Sequence, residues 1–170
     1  MRINKIAEDV TSNIIAGIII ALCFLIFSDL IFKEPKISGR WIFKLTYQDT
    51  QHLEFKDMEV YFLVNLLQNE NNVSGFGEKI YEKSNLGEIA YSGKDKIPIK
   101  ITGKIENNFI RKDNLILTYH EEGHIRNSST YQNLIINNNN HFSGFFDSTI
   151  ADSKGSSEWW KNKNIIELIK

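Results

Sequence analysis

The sequence predicts a small, closed antiparallel β-barrel of about eight strands, preceded by one N-terminal transmembrane helix. Three observations support this all-β fold class. From Ser38 onward, apolar residues alternate with polar ones, which is the period of half-buried strands. Turn residues such as Asn69 to Asn72 separate the alternating runs at short intervals. One long apolar run, Ile14 to Phe32, precedes all of them.

The apolar run is long enough to cross a bilayer if all of it is helical. About 19 residues rise about 28 Å in a helix, close to the hydrocarbon core of roughly 30 Å. A buried helix and a cleaved signal peptide are the alternatives. Glu8 and Asp9 before the run do not fit the basic start of a signal peptide. Gly17 and Ala21, four residues apart, leave open whether the helix has a packing seam.

Flanking positive charges predict the orientation of the helix. Arg2 and Lys5 precede the run, whereas four basic residues lie between residues 33 and 44. Because basic loops stay in the cytoplasm, the C-terminal domain is expected there. The predicted organisation is a flank at 1–13, a transmembrane helix at 14–32, a stiff linker at 33–37, a barrel domain at 38–161 and a tail at 162–170.

The alternation after residue 38 favours a meander that closes into a barrel. Trp41, Phe43 and Leu45 face one way in the first predicted strand, and Ile97, Ile99 and Ile101 repeat the pattern later. A two-sheet sandwich is the alternative. The segment from Tyr61 to Leu67 is apolar on both faces, so its outer face is expected to be covered by the chain, by a partner or by lipid.

Overall charge and cysteine content narrow the classes of function. The net charge is −1, which gives no electrostatic footprint for a DNA or RNA polymer. Without the first 32 residues, 18 positive and 18 negative side chains remain. Cys23 is the one cysteine and lies in the apolar run, so the barrel has neither a disulfide framework nor a thiolate metal site. No cofactor is predicted.

One string in the sequence matches a zinc-protease motif. His120-Glu-Glu-Gly-His124 fits H-E-x-x-H, which works only on a helix, where the two histidines share a face. The alternation from Leu115 to Tyr119 predicts a strand leading into a turn at Gly123. We therefore interpret the match as chance. The sequence contains neither a G-x-S-x-G elbow nor a Walker A loop, and we do not expect an enzyme.

Polar residues in one predicted strand are candidates for ligand binding. Arg126, Ser128 and Thr130 fall on one face, and the chain has only four arginines. A guanidinium fork with neighbouring hydroxyls suits phosphate oxygens, and Tyr119 could stack on a base. The alternative is an exposed polar face on an ordinary strand. The segment Ser148 to Trp159 is interpreted as a surface loop capped by packed tryptophans.

The order of several blocks resembles a known family. Gly39-Arg-Trp41 is similar to the Gly-x-Trp opening of lipocalin-type barrels. Together with the blocks that follow, it resembles the membrane-anchored β-barrel effectors of CBASS, the cyclic-oligonucleotide-based anti-phage signalling of bacteria. The further blocks are Val73-Ser-Gly-Phe-Gly-Glu-Lys-Ile80, Ile97-Pro-Ile-Lys-Ile-Thr-Gly103, Arg126-x-Ser-Ser-Thr130, Gly144-x-Phe-x-Ser-Thr149 and Ser156-Ser-Glu-Trp159.

The resemblance implies a function, partners and a location. A lipocalin-like barrel would bind a cyclic dinucleotide or related cyclic oligonucleotide, and the protein would then self-associate and disrupt the lipid bilayer of the bacterial inner membrane, killing the infected cell. The family has a two-helix membrane region, whereas this chain shows one apolar run. Two other functions remain open: a tethered carrier of an apolar ligand, and a ligand-free assembly factor that uses Tyr61 to Leu67 as an interface.

Overall fold

The computed structural model describes residues 2–31, 34–108, 111–123 and 127–168 of the 170-residue chain. The chain divides into two units, Met1–Glu34 and Pro35–Lys170. The first contains the helix α1, Arg2–Ile31. The second contains nine strands: β1 Gly39–Asp49, β2 Glu59–Asn69, β3 Asn72–Ser84, β4 Gly87–Ala90, β5 Ile97–Glu106, β6 Asn114–Glu122, β7 Asn127–Asn138, β8 His141–Ser148 and β9 Ser153–Lys161.

The predicted membrane span requires correction. Among the described residues, no helix is both long and apolar enough to cross a membrane. The run without a polar residue extends only from Ile14 to Phe27, 14 residues, which rise about 21 Å against a core of roughly 30 Å. Ile14, Gly17 and Ala21 are exposed in α1, while Phe32 lies outside the described residues. The expected location, a single-pass inner-membrane protein, is therefore wrong.

Eight of the strands form a closed antiparallel barrel, which confirms the predicted eight-stranded barrel. Neighbouring strands pair in the order β2-β1-β9-β8-β7-β6-β5-β3, and β2 also pairs with β3. This last pairing joins the two ends of the sheet, so the ring is complete. The short strand β4 pairs with the far end of β3, from Tyr81 to Ser84, beyond the part of β3 that pairs with β5.

Small residues let the barrel wall close tightly around its core. Gly155 in β9 lies opposite Phe146 and Tyr47 on the two neighbouring strands. A Cβ atom there would clash with the Thr46 carbonyl oxygen and the Phe146 ring. The segment from Ser153 to Trp159 is therefore a strand, not the loop that its small polar residues suggested, because every second residue from Ser153 is buried.

One bulge decides which side chains of β3 face the barrel interior. The register between β2 and β3 shifts between Tyr61 and Phe62, so that Phe62 lies opposite Lys79 and Tyr61 lies opposite Tyr81. Because paired residues of an antiparallel sheet share a face, Lys79 turns inward with Phe62. Tyr61 and Tyr81 turn outward and pack in a second apolar cluster, with Ile42.

Two described segments outside the strands pack on the barrel. Ile37 is fully buried at the end of the barrel where β1 begins, and its carbonyl oxygen accepts a 2.7 Å hydrogen bond from Trp41 Nε1. Pro35 is also buried, although the sequence placed both residues in a linker. A 3₁₀ turn at Ile165–Glu167 packs on the outer apolar cluster and covers part of the doubly apolar strand. The sequence also suggested a short strand over 109–112; Arg111 and Lys112 lie outside any strand, and 109–110 lie outside the described residues.

Candidate functional site

The barrel interior has an apolar end and a polar end. The apolar end is filled by aromatic rings that pack on one another: Trp41 lies 4.1 Å from Phe142, and Phe43 lies 4.2 Å from Trp159 and 4.6 Å from Phe62 between ring centroids. Tyr119 ends this stack, 5.4 Å from Phe62. Beyond Tyr119, buried polar side chains stand beside apolar ones such as Met58 and Phe146. The polar ones are Lys79, Glu121, Ser128, Thr130, Ser148 and Ser153.

Three of the four predicted site residues come together at the polar end. Tyr119 pairs across the sheet with Thr130, and Glu121 pairs with Ser128. Tyr119, Thr130 and Ser128 are 1%, 0% and 6% exposed, so they do not form the exposed polar face that was the alternative. Arg126 lies outside the described residues. The polar end therefore brings together two hydroxyl groups of β7, from Ser128 and Thr130, and the phenol of Tyr119 on the neighbouring strand β6.

Some of these hydroxyl groups are satisfied and others are not. Thr130 Oγ1 donates to Ser148 Oγ at 2.9 Å. Within the described part of the chain, Tyr119 Oη, Ser128 Oγ and Gln132 Nε2 are buried without a hydrogen-bond partner. A buried polar group left unpaired costs roughly 1–3 kcal/mol. Three such atoms in one lumen are a cost that a bound molecule with matching donors and acceptors would offset.

The fully buried amide of Gln132 has a fixed orientation. Its Oε1 accepts hydrogen bonds from Ser157 Oγ at 2.8 Å and from Trp159 Nε1 at 2.9 Å. Both contacts use the amide oxygen, so the amide nitrogen presents its two N–H donors to the lumen. Gln132 is thus a donor placed between the aromatic stack and the polar end.

A charged cluster, Lys79, Glu82 and Glu121 with Tyr91, completes the polar end. Lys79 Nζ lies 2.6 Å from Glu82 Oε2, and Tyr91 Oη donates to the same carboxylate oxygen at 3.0 Å. The Lys79 ammonium also lies 5.1 Å from the centroid of the Tyr91 ring. Tyr91 follows β4, so the segment around β4 is tied to the lumen through this one side chain.

Burial and neighbouring charges set the protonation of this cluster. Burial lowers the pKa of Lys79, but Glu121 and Glu82 outweigh that effect, and the net pKa is raised. Burial raises the pKa of Glu121, Lys79 opposes the shift, and Glu82 adds to it. Burial also raises the pKa of Tyr119; the Thr130 hydroxyl opposes this, although its geometry falls short of a hydrogen bond. At neutral pH Lys79 is therefore charged and the Tyr119 phenol is neutral.

Sequence reasoning missed the charged cluster, although one signal was present. Lys79 lies an even number of residues from the buried Val73 in β3, and Glu121 lies an even number from the buried Leu115 in β6. Both side chains are therefore expected on the inward face. Charged residues at inward-facing positions of a strand are rare and are usually paired. The zinc-motif residue His120 has the opposite parity: it is exposed on β6, and its Nδ1 lies 2.8 Å from Ser129 Oγ. His124 lies outside the described residues.

The architecture and site define a closed eight-stranded β-barrel with a group of buried polar side chains at one end. No family model matches the chain, and no curated protein matches it. The chain is similar to a redesigned β-barrel, mFAP1, bound to DFHBI, at 11% identity over 74% of this chain and 94% of that chain, with a TM-score of 0.48. A de novo designed fluorescence-activating β-barrel shares 13% identity over 79% and 97%, with a TM-score of 0.45.

Proposed function

We propose that the barrel is a receptor that binds a cyclic di- or oligonucleotide at the polar end of its lumen, as a signal in anti-phage defence. The observation that carries the proposal is that, of the four buried polar atoms without a partner among the described residues, three lie inside the barrel: Tyr119 Oη, Ser128 Oγ and Gln132 Nε2. The block order that resembles CBASS effectors supports the ligand class. The protein is not proposed to be an enzyme.

The chemistry of the polar end matches the bases and sugars of such a ligand. Hydroxyl groups and the Gln132 amide can donate to base carbonyls and ring nitrogens, and carboxylates such as Glu121 accept from amino groups. The Tyr119 phenol can bond to a ribose hydroxyl. Lys79 is already neutralised by Glu82, so this cluster offers little to a phosphate. Arg126, one residue before β7, is the sequence-based candidate for the phosphates.

Two alternative functions fit the structure less well. A carrier of apolar ligands needs an apolar cavity, but Trp41, Phe43 and Phe62 stack against neighbouring rings and fill that part of the lumen. An assembly factor would use the doubly apolar strand as an interface. The outer face of Tyr61 is instead buried; its hydroxyl donates to Glu59 Oε2 at 3.0 Å and lies 3.4 Å from the Leu168 carbonyl oxygen.

Isothermal calorimetry of the full chain with a panel of cyclic di- and trinucleotides tests the proposal. We expect one ligand to bind, and the Tyr119→Phe and Thr130→Val variants to bind it at least ten-fold more weakly, because each loses one directed hydrogen bond. Tyr131→Phe and Thr118→Val are matched controls on the outer face, where Tyr131 is 44% exposed. Light scattering checks whether the ligand causes self-association.

The same variants separate a binding role from a structural one. Tyr119→Phe removes an unpartnered hydroxyl, so the ligand-free protein should be as stable as wild type or about 1 kcal/mol more stable. Loss of ligand binding together with loss of stability would point to a packing role instead. Failure of the whole panel to bind contradicts the proposal, and normal binding by Arg126→Ala removes only the arginine assignment.

A further inference from the structure

A groove on the outer wall of the barrel has a different chemistry from the lumen. It has a volume of about 360 Å³ and lies where the segment after β9 meets the outer faces of β1, β2 and β3. Its floor is aliphatic and consists of Ile42, Leu63 and Ile80, with Ile165 as a wall. This volume lies within the range of small-molecule sites, about 300–1,000 Å³.

Two cations stand over this apolar floor. Arg40 and Lys163 both line the groove, and both are exposed. The ion pairs of the described residues involve other groups; neither Arg40 nor Lys163 has a carboxylate within 4.0 Å among them. Lys163 Nζ instead lies 5.6 Å from the centroid of the Trp160 ring, which holds the ammonium near the groove.

Two carboxylates near the groove are paired with other lysines. Glu78, opposite Leu63 on β3, contacts Lys96, and Glu59 Oε1 lies 3.0 Å from Lys44 Nζ. No carboxylate is among the described residues that line the groove, and its two cations are Arg40 and Lys163. An anion placed between them would be attracted by both.

The walls of the groove are fixed before any ligand binds. The backbone N–H of Asn162 donates to the Arg40 carbonyl oxygen at 3.1 Å, and Asn162 has a left-handed φ of 55° that turns the chain away from β9. Asn164 Oδ1 accepts from the Ile166 N–H at 3.2 Å and caps the 3₁₀ turn. A preformed site loses less conformational entropy on binding.

We infer that this groove binds an anionic amphiphile, with a carboxylate or similar anion held by Arg40 and Lys163 and an aliphatic chain lying on Ile42, Leu63 and Ile80. The guanidinium fork of Arg40 matches the two oxygens of a carboxylate, and the aliphatic floor matches a hydrocarbon chain. The site is separate from the lumen and independent of the proposed nucleotide binding.

Calorimetry of the full chain with fatty-acid anions below their micelle concentrations tests the inference. We expect decanoate to bind with 1:1 stoichiometry, and affinity to rise about four-fold for each methylene added from hexanoate to decanoate, as expected for burial of a methylene. Arg40→Gln and Lys163→Gln should each weaken decanoate binding about three- to ten-fold. Lys112→Gln, an exposed lysine elsewhere on the barrel, is the matched control.

Further ligands and variants distinguish the groove from other apolar surfaces. Decanol and decyltrimethylammonium should bind more weakly and respond little to the two charge substitutions. If decanoate instead associated with the exposed apolar residues of α1, its affinity would not change in the Arg40→Gln and Lys163→Gln variants. Tyr119→Phe should leave decanoate binding unchanged, and a decanoate-induced change in tryptophan fluorescence should shrink in Trp160→Phe. Absence of saturable binding, equal binding by the Arg40→Gln/Lys163→Gln double variant, or equal affinity for acetate would overturn the inference.

Discussion

The two ends of the barrel interior share one wall but have opposite chemistry. At the apolar end, Trp41, Phe142 and Trp159 are each fully buried and contact other rings. At the polar end, Glu121 and Ser128 occupy equivalent inward positions on β6 and β7. The same strands therefore stabilise the fold at one end and hold costly polar groups at the other, as binding sites commonly do.

The largest effect is expected from cutting into the apolar end. Trp159→Ala removes a fully buried ring that stacks 4.2 Å from Phe43 and donates to Gln132. Its free energy of unfolding should fall by about 3–5 kcal/mol, since a cavity results and the Gln132 amide oxygen keeps only the hydrogen bond from Ser157. Urea unfolding measures this. Trp160→Ala, one residue along on the outer face, should cost much less; equal losses would contradict a core role.

An intermediate effect is expected at the charged cluster. Lys79→Met leaves the carboxylates of Glu82 and Glu121 in a buried site without their cation. We expect a loss of about 2 kcal/mol in urea unfolding, because an uncompensated buried charge is costly. Lys83→Met breaks an exposed pair with Glu88 and should change stability by less than about 0.5 kcal/mol. Similar losses for the two variants would show that Lys79 is not effectively buried.

The smallest effect is the pH dependence of Glu121. Its pKa is raised above the ordinary 4.5, so the folded chain binds this proton more tightly than the unfolded chain does. Stability from this group is therefore largest at low pH and falls as pH rises from 4.5 through the folded pKa.

Glu121→Gln removes the titrating proton, so its stability relative to wild type should increase over that interval and then level off. Urea unfolding from pH 4 to pH 8 checks this. Glu122→Gln, with its side chain 60% exposed, is the control and should track wild type. A constant difference between Glu121→Gln and wild type would mean that the pKa of Glu121 is not raised by folding.

The sequence predicts the strands well because the core residues follow one parity. Trp41, Phe43 and Leu45 alternate without interruption in β1, and all three are buried. Ser128 and Thr130 share the parity of Leu134 in β7, so their burial could be inferred. The inward turn of Glu82 could not, since Glu82 lies opposite Val60 only because of the bulge at Tyr61 and Phe62, which periodicity does not reveal.

Long-range packing explains why the outer groove was not predicted from the sequence. The outer groove depends on how residues 162–165 fold back on β1 to β3, and no local pattern specifies such a contact.

The membrane span was inferred from apolar content across about 19 residues, whereas the run free of polar residues has 14. Among the described residues, no helix meets both requirements for crossing a membrane, length and apolar character.

The pairing of the first and last strands also has a consequence for the time course of folding. β1 pairs with β9 from Trp41 and Lys161 onward, so closure joins residues about 120 positions apart, and contacts of that separation form slowly. During synthesis on the ribosome, the edge of β1 that pairs with β9 stays unpaired until β9 has been synthesised. During that interval its edge is open to other chains, which makes translation rate and chaperone access determinants of yield.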